Sequence, residues 1–428
     1  MNIGIICKYP IPYGMAATTR IFSYSKGLLE CGDKVDVWSI APNNFNANNN
    51  NEGVFNGISY FYSFRSKRFS NKLFHAYEMI YSLFILGVKL HKRDKIRRYD
   101  VFIISSDSLI CLLYMRVLNI LFKRKLIFIF DEYPTPIRGK LKNKIPFWKE
   151  VIYRVILSKY SGYISMTENL LKYYKKITDN PGIIISSITD VNRFHNIIKK
   201  PINKTKKLIY MGNMELSKDN VDNILYALSI LLRDNYDVHL YLFGKPNLKD
   251  KSILERIIEQ EGLANNTSFR FAQYNDVPKI LSEADILVSS QPVTVRADGG
   301  FPTKLGEYLM SGTPVLSTNV GETSKYFKDG EHMYFAKPES PLDYANKLKY
   351  IIDNYEKALA VAKKGKMLIE QSYSHISAGE KMHKFLKSLS KLIFFILLSI
   401  LRLLSFLHFL ISIYICLNIF LFNSSGNT

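Results

Sequence analysis

The chain has 428 residues, of which 47% are apolar and 22% are charged, and its formal net charge at pH 7 is +21. This length suits two domains of ordinary size with an extension, and the apolar fraction supports real hydrophobic cores. The excess of basic residues favours an anionic partner, which can be nucleic acid, anionic lipid or an anionic substrate. The sequence contains no zinc-finger spacing and no recognisable DNA-binding or RNA-binding module, so we expect no nucleic-acid partner and rank an anionic membrane first.

The first half of the sequence alternates apolar strands with helices. Residues 2–7 and 34–40 are apolar runs typical of buried strands, and a glycine turn and a helix of about a dozen residues separate them. Residues 101–105 and 126–130 are two more such strands. Strands joined by helices pair in parallel through right-handed crossovers, so this half predicts an α/β domain.

Two carboxylates, Asp131 and Glu132, directly follow the strand at 126–130. Side chains at the carboxyl end of a parallel strand are placed to bind a substrate or to act as a general base. A helix-capping aspartate beside an ion pair is the alternative interpretation. Arg138, further along this segment, is a candidate for binding an acceptor phosphate.

A glycine loop in the second half follows an apolar strand at residues 286–290. Asp298 is followed by the sequence Gly-Gly-Phe-Pro, a helix predicted to be capped by Thr303 comes next, and Gly312 ends that helix. In α/β proteins, such a loop between a strand and a helix is where phosphorylated ligands bind. Glu307 lies about one turn into the helix, where it can reach a sugar hydroxyl. The alternative is an ordinary βαβ unit with a solvated glutamate.

The run Gly299-Gly-Phe-Pro, together with Glu307 and Gly312-Thr-Pro-Val, resembles the signature of GT-B glycosyltransferases, especially of the large retaining family 4. Members of that family typically carry two glutamates with seven residues between them. The first glutamate is associated with the transferred sugar and the second with the nucleotide ribose. Glu307 occupies the second position here, so the resemblance implies that it binds ribose. Gly299 occupies the first position, and Asp298 or Glu322 is a candidate to substitute for the missing carboxylate.

The resemblance also implies how the donor diphosphate is held. Lys218 keeps the place of a lysine that grips the diphosphate in the family, whereas Asn213 stands where an arginine is common. Arg296 or Lys304 is a candidate to supply the missing charge. Gly14 lies where the family's first glycine loop approaches the diphosphate, although a purely structural turn is the alternative there.

These assignments define two sets of candidate site residues, and the nucleotide base is expected against residues 273–274. The candidate catalytic residues are Asp131, Glu132 and Asp298. The candidate donor-binding residues are Gly14, Asn213, Lys218, Arg296, Gly299, Gly300, Phe301, Pro302, Thr303, Lys304 and Glu307.

No cluster of histidines and acidic residues has metal-ligand spacing, and no Asp-x-Asp motif stands at a strand end, so the sequence predicts no bound metal. The resemblance agrees, because GT-B enzymes usually neutralise the diphosphate with side chains and a helix terminus. It implies no cofactor, with a nucleotide-diphosphate sugar as co-substrate. The cysteines are scattered without paired spacing, which is typical of free thiols in a reducing compartment; they are Cys7, Cys31, Cys111 and Cys416.

The predicted fold class is α/β, with two Rossmann-like domains facing a cleft and a C-terminal hydrophobic helix. Residues 1–198 are the predicted acceptor domain and residues 206–375 the predicted nucleotide-sugar domain. Residues 376–391 are interpreted as a helix that crosses back to the first domain, followed by a basic linker. Residues 392–422 are almost wholly apolar and form the predicted membrane segment, because a span needs about 20 such residues.

Basic residues precede this apolar segment, so the positive-inside rule places the domains on the cytoplasmic face of the inner or plasma membrane. A buried soluble helix is the alternative for the segment. Residues 75–88 form a second apolar helical stretch, bounded by basic clusters. This stretch is interpreted either as a membrane-surface helix or as a core helix with solvated ends.

The sequence thus leads to one main hypothesis. We expect a hexosyltransferase-type glycosyltransferase, retaining and metal-independent, that moves a sugar to a lipid-linked or saccharide acceptor in surface polysaccharide biosynthesis. A sugar-nucleotide epimerase of the same fold is one alternative. The other is a non-catalytic partner protein that binds sugar nucleotides, which the residues at Gly299 and Asn213 favour.

Overall fold

The computed structural model describes residues 1–14, 16–41, 50–63, 72–134, 147–186, 188–195, 197 and 204–389. Residues 1–380 form one compact unit, which contains two β-sheets, and residues 381–428 form a second unit. In the second unit, the described residues 381–389 are helical. Arg138 and the predicted membrane segment 392–422 lie outside the described residues.

The first sheet has eight strands in the order β3-β4-β2-β1-β5-β6-β7-β8, all paired in parallel except β3 with β4. Its central strands are buried on both faces, as expected for a parallel sheet covered by helices. The strands are β1 (Asn2–Cys7), β2 (Lys34–Ser39), β3 (Glu52–Phe55), β4 (Ile58–Tyr62), β5 (Val101–Ser105), β6 (Lys125–Phe130), β7 (Gly162–Ser165) and β8 (Gly182–Ile184). The helices are α1 (Ala16–Glu30), α2 (Lys72–Ile96), α3 (Leu109–Phe122), α4 (Phe147–Leu157) and α5 (Glu168–Lys175).

The second sheet has six parallel strands in the order β11-β10-β9-β12-β13-β14. The strands are β9 (Lys206–Met211), β10 (Val238–Phe243), β11 (Thr267–Arg270), β12 (Ile286–Ser289), β13 (Val315–Thr318) and β14 (Tyr334–Ala336). The helices are α6 (Leu216–Asp219), α7 (Val221–Arg233), α8 (Leu248–Gln260), α9 (Val277–Ser282), α10 (Val295–Gly299), α11 (Lys304–Met310), α12 (Thr323–Tyr326), α13 (Pro341–Asp353) and α14 (Tyr355–Ser372). The predicted α/β class with two parallel-type sheets is therefore confirmed.

The antiparallel hairpin β3–β4 forms one edge of the first sheet. Asn56 and Gly57 join the two strands, and both have positive φ, at 49° and 79°. An Asn-Gly pair between short strands is the strongest local hairpin signal, so the sequence did contain the information. The hairpin matters because it brings Phe55 to the aromatic cluster described below.

A hydrophobic core runs continuously from the first sheet to the second. Leu170 and Tyr174 of α5 belong to the same buried cluster as Phe301 and Leu305 of the second half. Further along the chain, helical residues 375–380 pack on α1, where a Cβ on Gly27 would lie 2.0 Å from the carbonyl oxygen of His375. The two halves of residues 1–380 therefore share packing, and the candidate site lies where they meet.

No helix in the described part of the chain is both long and apolar enough to cross a membrane. The longest helix in the first half, α2, carries several basic residues toward its end, including Arg93 and Lys95 in the last turn.

Candidate active site

The loop between α10 and α11 docks on the first half of the chain. Thr167 Oγ1 donates to the Gly299 carbonyl at 2.9 Å, and the Phe301 amide donates to Met166 Sδ at 3.1 Å. Asn169 Nδ2 donates to Asp298 Oδ1 at 2.9 Å. Asp298 is therefore an exposed carboxylate held at the start of α5, at the junction of the two halves.

Within this loop, Phe301 is buried and meets Tyr326 edge to face, with ring centroids 5.3 Å apart. Its place in the shared core gives it a packing role.

The prediction that Thr303 caps α11 is wrong. Its φ of −54° and ψ of −28° are helical, and its side chain makes no cap hydrogen bond. An N-cap residue needs extended angles. The helical turn starts with Pro302, whose carbonyl accepts from the Leu305 amide at 2.9 Å, and the Gly300 amide closes α10 by donating to the Arg296 carbonyl at 2.9 Å.

Tyr133 occupies the space beside Gly299. Gly299 stands at the position where the GT-B family that the sequence resembles carries its first glutamate. A Cβ on Gly299 would lie 2.3 Å from Cε2 of Tyr133, closer than real carbon atoms approach. Burial raises the pKa of Tyr133 to about 12, and the nearby Asp298 and Glu322 carboxylates add to the rise. The glycine is thus matched to an aromatic ring from the other half of the molecule, a partner that the sequence analysis missed.

Asp131, a candidate catalytic residue, is ion-paired with Arg20. The Arg20 Nε lies 3.0 Å from Asp131 Oδ1, and its Nη1 donates to the Ser186 carbonyl at 2.8 Å. Arg20 is 3% exposed and its guanidinium lies 4.9 Å from the centroid of the Tyr24 ring. Burial raises the pKa of Asp131, although the Arg20 charge opposes that rise. Asp131 is therefore itself one member of an ion pair in which Arg20 is buried and Asp131 is 21% exposed.

Glu132 points to a different cation, Arg296 of α10. Arg296 lies 3.4 Å from Glu132 Oε1 and 3.3 Å from Glu215 Oε1, so one guanidinium bridges carboxylates from both halves. All three side chains are partly exposed, and they lie around the predicted donor loop. Of the candidate catalytic carboxylates, Glu132 and Asp298 are thus both accessible at the junction.

Lys304 lies beside the turn after β9, where it is paired with Asp219 and close to Lys218. Lys304 Nζ lies 2.7 Å from Asp219 Oδ1 and 4.4 Å from the ring centroid of Tyr210. Burial lowers the pKa of Lys304, Asp219 raises it, and the charge of Lys218 lowers it further. A Cβ on Gly212 would lie 2.8 Å from Lys304 Nζ, so the amine rests against the turn that exposes Asn213. Lys304 is therefore ion-paired with Asp219 next to Lys218, and it stays a candidate for the charge that Asn213 does not supply.

Glu307 is bound by Arg193, which the sequence analysis did not single out. Arg193 Nη1 pairs with Glu307 Oε1, and Nη2 donates to the Tyr274 carbonyl at 2.7 Å. The same guanidinium lies 3.9 Å from the centroid of the Tyr274 ring. Tyr13 and Phe55 meet that ring edge to face, with centroids 6.3 and 6.4 Å away. The predicted ribose and base positions thus adjoin, and Arg193 connects them.

Glu322 caps a helix of the opposite half. Its two carboxylate oxygens accept from the amides of Glu168 and Asn169, at 2.9 and 2.8 Å, at the start of α5. Tyr326 donates its hydroxyl to Glu322 Oε2 at 3.1 Å, and Glu322 is 2% exposed. A carboxylate with both oxygens bound in this way stabilises the junction, and Asp298 is left as the more accessible of the two candidates to replace the missing glutamate.

Gly14 forms a tight turn after β1. A Cβ at Gly14 would lie 2.1 Å from Thr18 Oγ1, and that hydroxyl donates to the Pro10 carbonyl at 2.8 Å. The structural alternative for Gly14 thus has direct support.

Among the described residues, no group of three or more His, Cys, Asp and Glu side chains is arranged to hold a metal ion.

Comparison with known proteins finds a family match in the second half of the chain. Residues 192–368 match the family model described as Glycosyl transferases group 1. No curated protein sequence matches the chain.

Solved structures match nearly the whole fold at low sequence identity. Sucrose-phosphate synthase from Thermosynechococcus elongatus has 13% identity and a TM-score of 0.71, covering 91% of this chain and 99% of that one. A mutant of S. aureus TarM, in complex with UDP and saccharide ligands, has 14% identity and a TM-score of 0.68, covering 90% and 100%. Anabaena HepE with UDP and glucose has 12% identity and a TM-score of 0.65, covering 90% and 99%. The chain therefore has the fold of GT-B glycosyltransferases, and its residues 192–368 resemble the family Glycosyl transferases group 1.

Proposed function

We propose that this protein transfers a hexose from a nucleotide-diphosphate sugar to a lipid-linked or saccharide acceptor, in surface polysaccharide biosynthesis. The observation that carries the proposal is that Lys304 and Glu307 lie on the helix directly after the glycine loop, with Lys218 close to Lys304. Structural relatives support the substrate class, since Anabaena HepE was solved with UDP-glucose and WaaB is described as a lipopolysaccharide outer core galactosyltransferase.

Each of these side chains has a distinct task in the proposed reaction. The ammonium groups of Lys218 and Lys304 offset the charge that develops on the diphosphate as its bond to the sugar breaks. The Glu307 carboxylate accepts hydrogen bonds from the ribose hydroxyls, and the Tyr274 ring offers a face to the base. The Arg193 guanidinium now contacts both the Glu307 carboxylate and the Tyr274 ring, so it must move when the ribose and the base bind there.

The acceptor side of the reaction uses the first half of the chain. The acceptor hydroxyl oxygen bonds to the anomeric carbon, the nucleoside diphosphate leaves, and the hydroxyl proton passes to a base. Glu132 and Asp298 are the accessible carboxylates at the junction, and we propose them for proton transfer or sugar binding, with Asp131 positioning this end of β6 through Arg20. We propose retention of anomeric configuration, on the family resemblance.

We further propose that the reaction needs no metal or cofactor and takes place at the cytoplasmic face of the inner or plasma membrane. Lysine charges next to the diphosphate make a divalent cation unnecessary. The anchor is the apolar sequence 392–422, whose length and preceding basic residues fit a membrane segment with the domains inside. Activity that is unchanged by EDTA would support metal independence.

The deciding experiment measures nucleotide binding and turnover with the full chain reconstituted in vesicles. UDP, GDP, ADP and CMP are tested first for thermal stabilisation, and the corresponding sugar nucleotides are then incubated with and without octyl glycosides as probe acceptors. We expect one nucleotide to bind, its binding to be lost in Glu307→Ala, and free nucleotide to appear only with an acceptor present. Failure of all four nucleotides to bind would overturn the proposed donor site.

A non-catalytic sugar-nucleotide-binding protein is the second candidate. The glycine at the family's first glutamate position and the ion pair on Glu307 favour it. Nucleotide binding without turnover on any acceptor would support this alternative. Interconversion of free sugar nucleotides in the absence of an acceptor would instead indicate an epimerase.

A further inference from the structure

Three neighbouring helices on one side of the first sheet expose large apolar side chains. On α2, α3 and α4 these side chains are between 37% and 77% exposed. They are Tyr77, Ile80, Tyr81, Phe84 and Val88 of α2, Ile110, Leu113, Val117, Ile120 and Leu121 of α3, and Trp148, Val151, Ile152 and Val155 of α4. We name this surface the apolar face.

The spacing of these residues shows that each helix is apolar on two sides. On α3, residues 110, 113, 117, 120 and 121 recur at the three- and four-residue spacing of one helical stripe. The opposite stripe of the same helix is buried, at Cys111, Leu112, Met115 and Phe122. A surface helix of a soluble protein normally presents charged and polar groups on the side away from its core. The exposed stripe of α3 therefore calls for a covering partner.

The three stripes lie side by side because the helices contact one another. A Cβ on Gly87 of α2 would lie 2.3 Å from the hydroxyl oxygen of Tyr114 on α3, which marks a close approach of the two helices. Arg116 Nη1 of α3 donates to the Val155 carbonyl of α4 at 2.6 Å. Soluble monomers rarely expose contiguous apolar patches of more than a few hundred Å². The three exposed stripes lie on adjoining helices and so form one apolar surface.

Positive charge lies at one end of the apolar face. The helices precede the parallel strands β5, β6 and β7, so all three run in the same direction and end at the same edge of the sheet. Exposed lysines lie at those ends, and they are Lys92 and Lys95 of α2, Lys123 after α3 and Lys159 after α4. This arrangement of an apolar surface with basic residues at its rim is typical of proteins that lie on an anionic bilayer.

Acidic groups do not oppose this interpretation. The three helices contain Glu78, Asp94 and Glu150. Glu78 is 6% exposed, Asp94 pairs with Arg124 at 3.0 Å, and Glu150 pairs with Arg154 at 3.0 Å. The net charge contributed by these helices to the surface is therefore positive, which favours anionic lipid headgroups and disfavours a second copy of this basic chain.

We infer that the apolar face docks on an anionic lipid bilayer and holds the first half of the chain against it. This inference goes beyond the proposed transfer reaction and does not depend on it. It is also separate from anchoring by residues 392–422, since an anchor of that kind could leave the helices in water. If the reaction is as proposed, docking would bring the acceptor half to the surface where a lipid-linked acceptor resides.

Trp148 provides a native probe of docking. The chain has two tryptophans, and Trp38 is 2% exposed whereas Trp148 is 62% exposed. The full chain is reconstituted in vesicles of phosphatidylglycerol and phosphatidylcholine, and tryptophan fluorescence is quenched either by brominated lipid or by aqueous acrylamide. The Trp148→Phe variant supplies the Trp38 background. Docking predicts that brominated lipid quenches Trp148 and that Trp148 is protected from acrylamide. Both the quenching by lipid and the protection from acrylamide should be weaker in vesicles of pure phosphatidylcholine.

Two variants make the test specific. Ile120→Glu changes a different helix of the apolar face, and Leu248→Glu changes a more exposed apolar residue of α8 in the second half. The first variant is expected to lower the docking equilibrium about tenfold or more, and the second to leave it unchanged. Quenching of Trp148 by acrylamide alone would show the face in water, and protection from both quenchers would show it covered by protein. Either result would overturn the inference while leaving the proposed transfer reaction untouched.

Discussion

Arg193 holds the carboxylate of Glu307, the residue expected to bind the nucleotide ribose, and at the same time lies over the ring of Tyr274. The two side chains are 11% and 26% exposed, and they come from segments 114 positions apart in the sequence. The arginine belongs to a short 3-10 helix, Val191–Phe194, at the start of the connection between the two halves. The proposed ribose site and the connection between the halves are therefore joined by one ion pair.

The first prediction concerns this coupling. In a double-mutant cycle with Arg193→Met and Glu307→Gln, we expect a coupling free energy of about 1 kcal/mol or more in the unfolding free energy of the nucleotide-free protein, because the pair is partly buried. With saturating nucleotide the coupling should shrink, since the ribose takes over the carboxylate. Urea unfolding with and without the bound nucleotide measures both values. A coupling unaffected by nucleotide would contradict ribose binding at Glu307.

The second prediction concerns the contact between Gly299 and Tyr133. Gly299→Ala should destabilise the protein by about 1–3 kcal/mol, because the added methyl group overlaps the tyrosine ring. The double variant with Tyr133→Ala should recover part of that loss relative to Tyr133→Ala alone. Chemical denaturation of the four proteins provides the comparison. Gly300→Ala is the comparison variant, because its Cβ would lie 2.8 Å from the Arg296 carbonyl oxygen, and Tyr133→Ala should not restore its stability.

The third prediction separates the two lysines of the donor site. Lys304→Met should cost about 3–5 kcal/mol of stability, because it leaves Asp219 buried without its partner. Lys218→Met should leave stability nearly unchanged and weaken nucleoside diphosphate binding. Calorimetry and thermal unfolding measure the two effects. The variant Lys304→Met with Asp219→Asn should regain stability and still bind the diphosphate weakly; tight binding by that variant would exclude Lys304 from the donor site.

The fourth prediction concerns Glu322 as a cap supplied by the other half of the molecule. Glu322→Ala should destabilise the protein by about 0.5–2 kcal/mol, the range measured for lost helix caps. It should also expose the start of α5 to amide hydrogen exchange, especially at Glu168 and Asn169, whose amides lose their acceptors. Lys325→Ala serves as a control, because that lysine is 49% exposed and its loss leaves the Glu322 carboxylate in place. Unchanged exchange in Glu322→Ala would show that the cap does not protect the junction.

Much of the fold could be predicted because strand and helix patterns report local burial. The central strands β1, β5 and β6 are apolar at nearly every position, as strands covered on both faces must be. The glycine loop before α11 was recognisable for the same reason, since loop and breaker residues act over a few positions. The hairpin with Phe55 and the helices α3 and α4 had local signals too, and these were not used.

Partnerships between distant residues were decided only by tertiary structure. The sequence marked Asp131, Glu307 and Lys304 as charged groups near strand ends, and packing then paired them with Arg20, Arg193 and Asp219. Side-chain periodicity carries no information about contacts between segments 80 or more positions apart, because those depend on how the sheets and helices assemble.

The sequence by itself determined that this is an α/β protein with a glycine loop at residues 299–302 that resembles the GT-B signature. It also marked Lys218 and Glu307 as candidate donor-binding residues. Only the tertiary structure showed that Tyr133 fills the space beside Gly299 and that Glu322 caps a helix of the other half. It alone also showed that three helices place their second apolar stripes side by side on the surface. The physical reason is common to all three: a residue's type limits what it can contact, whereas the packed fold determines which contact is made.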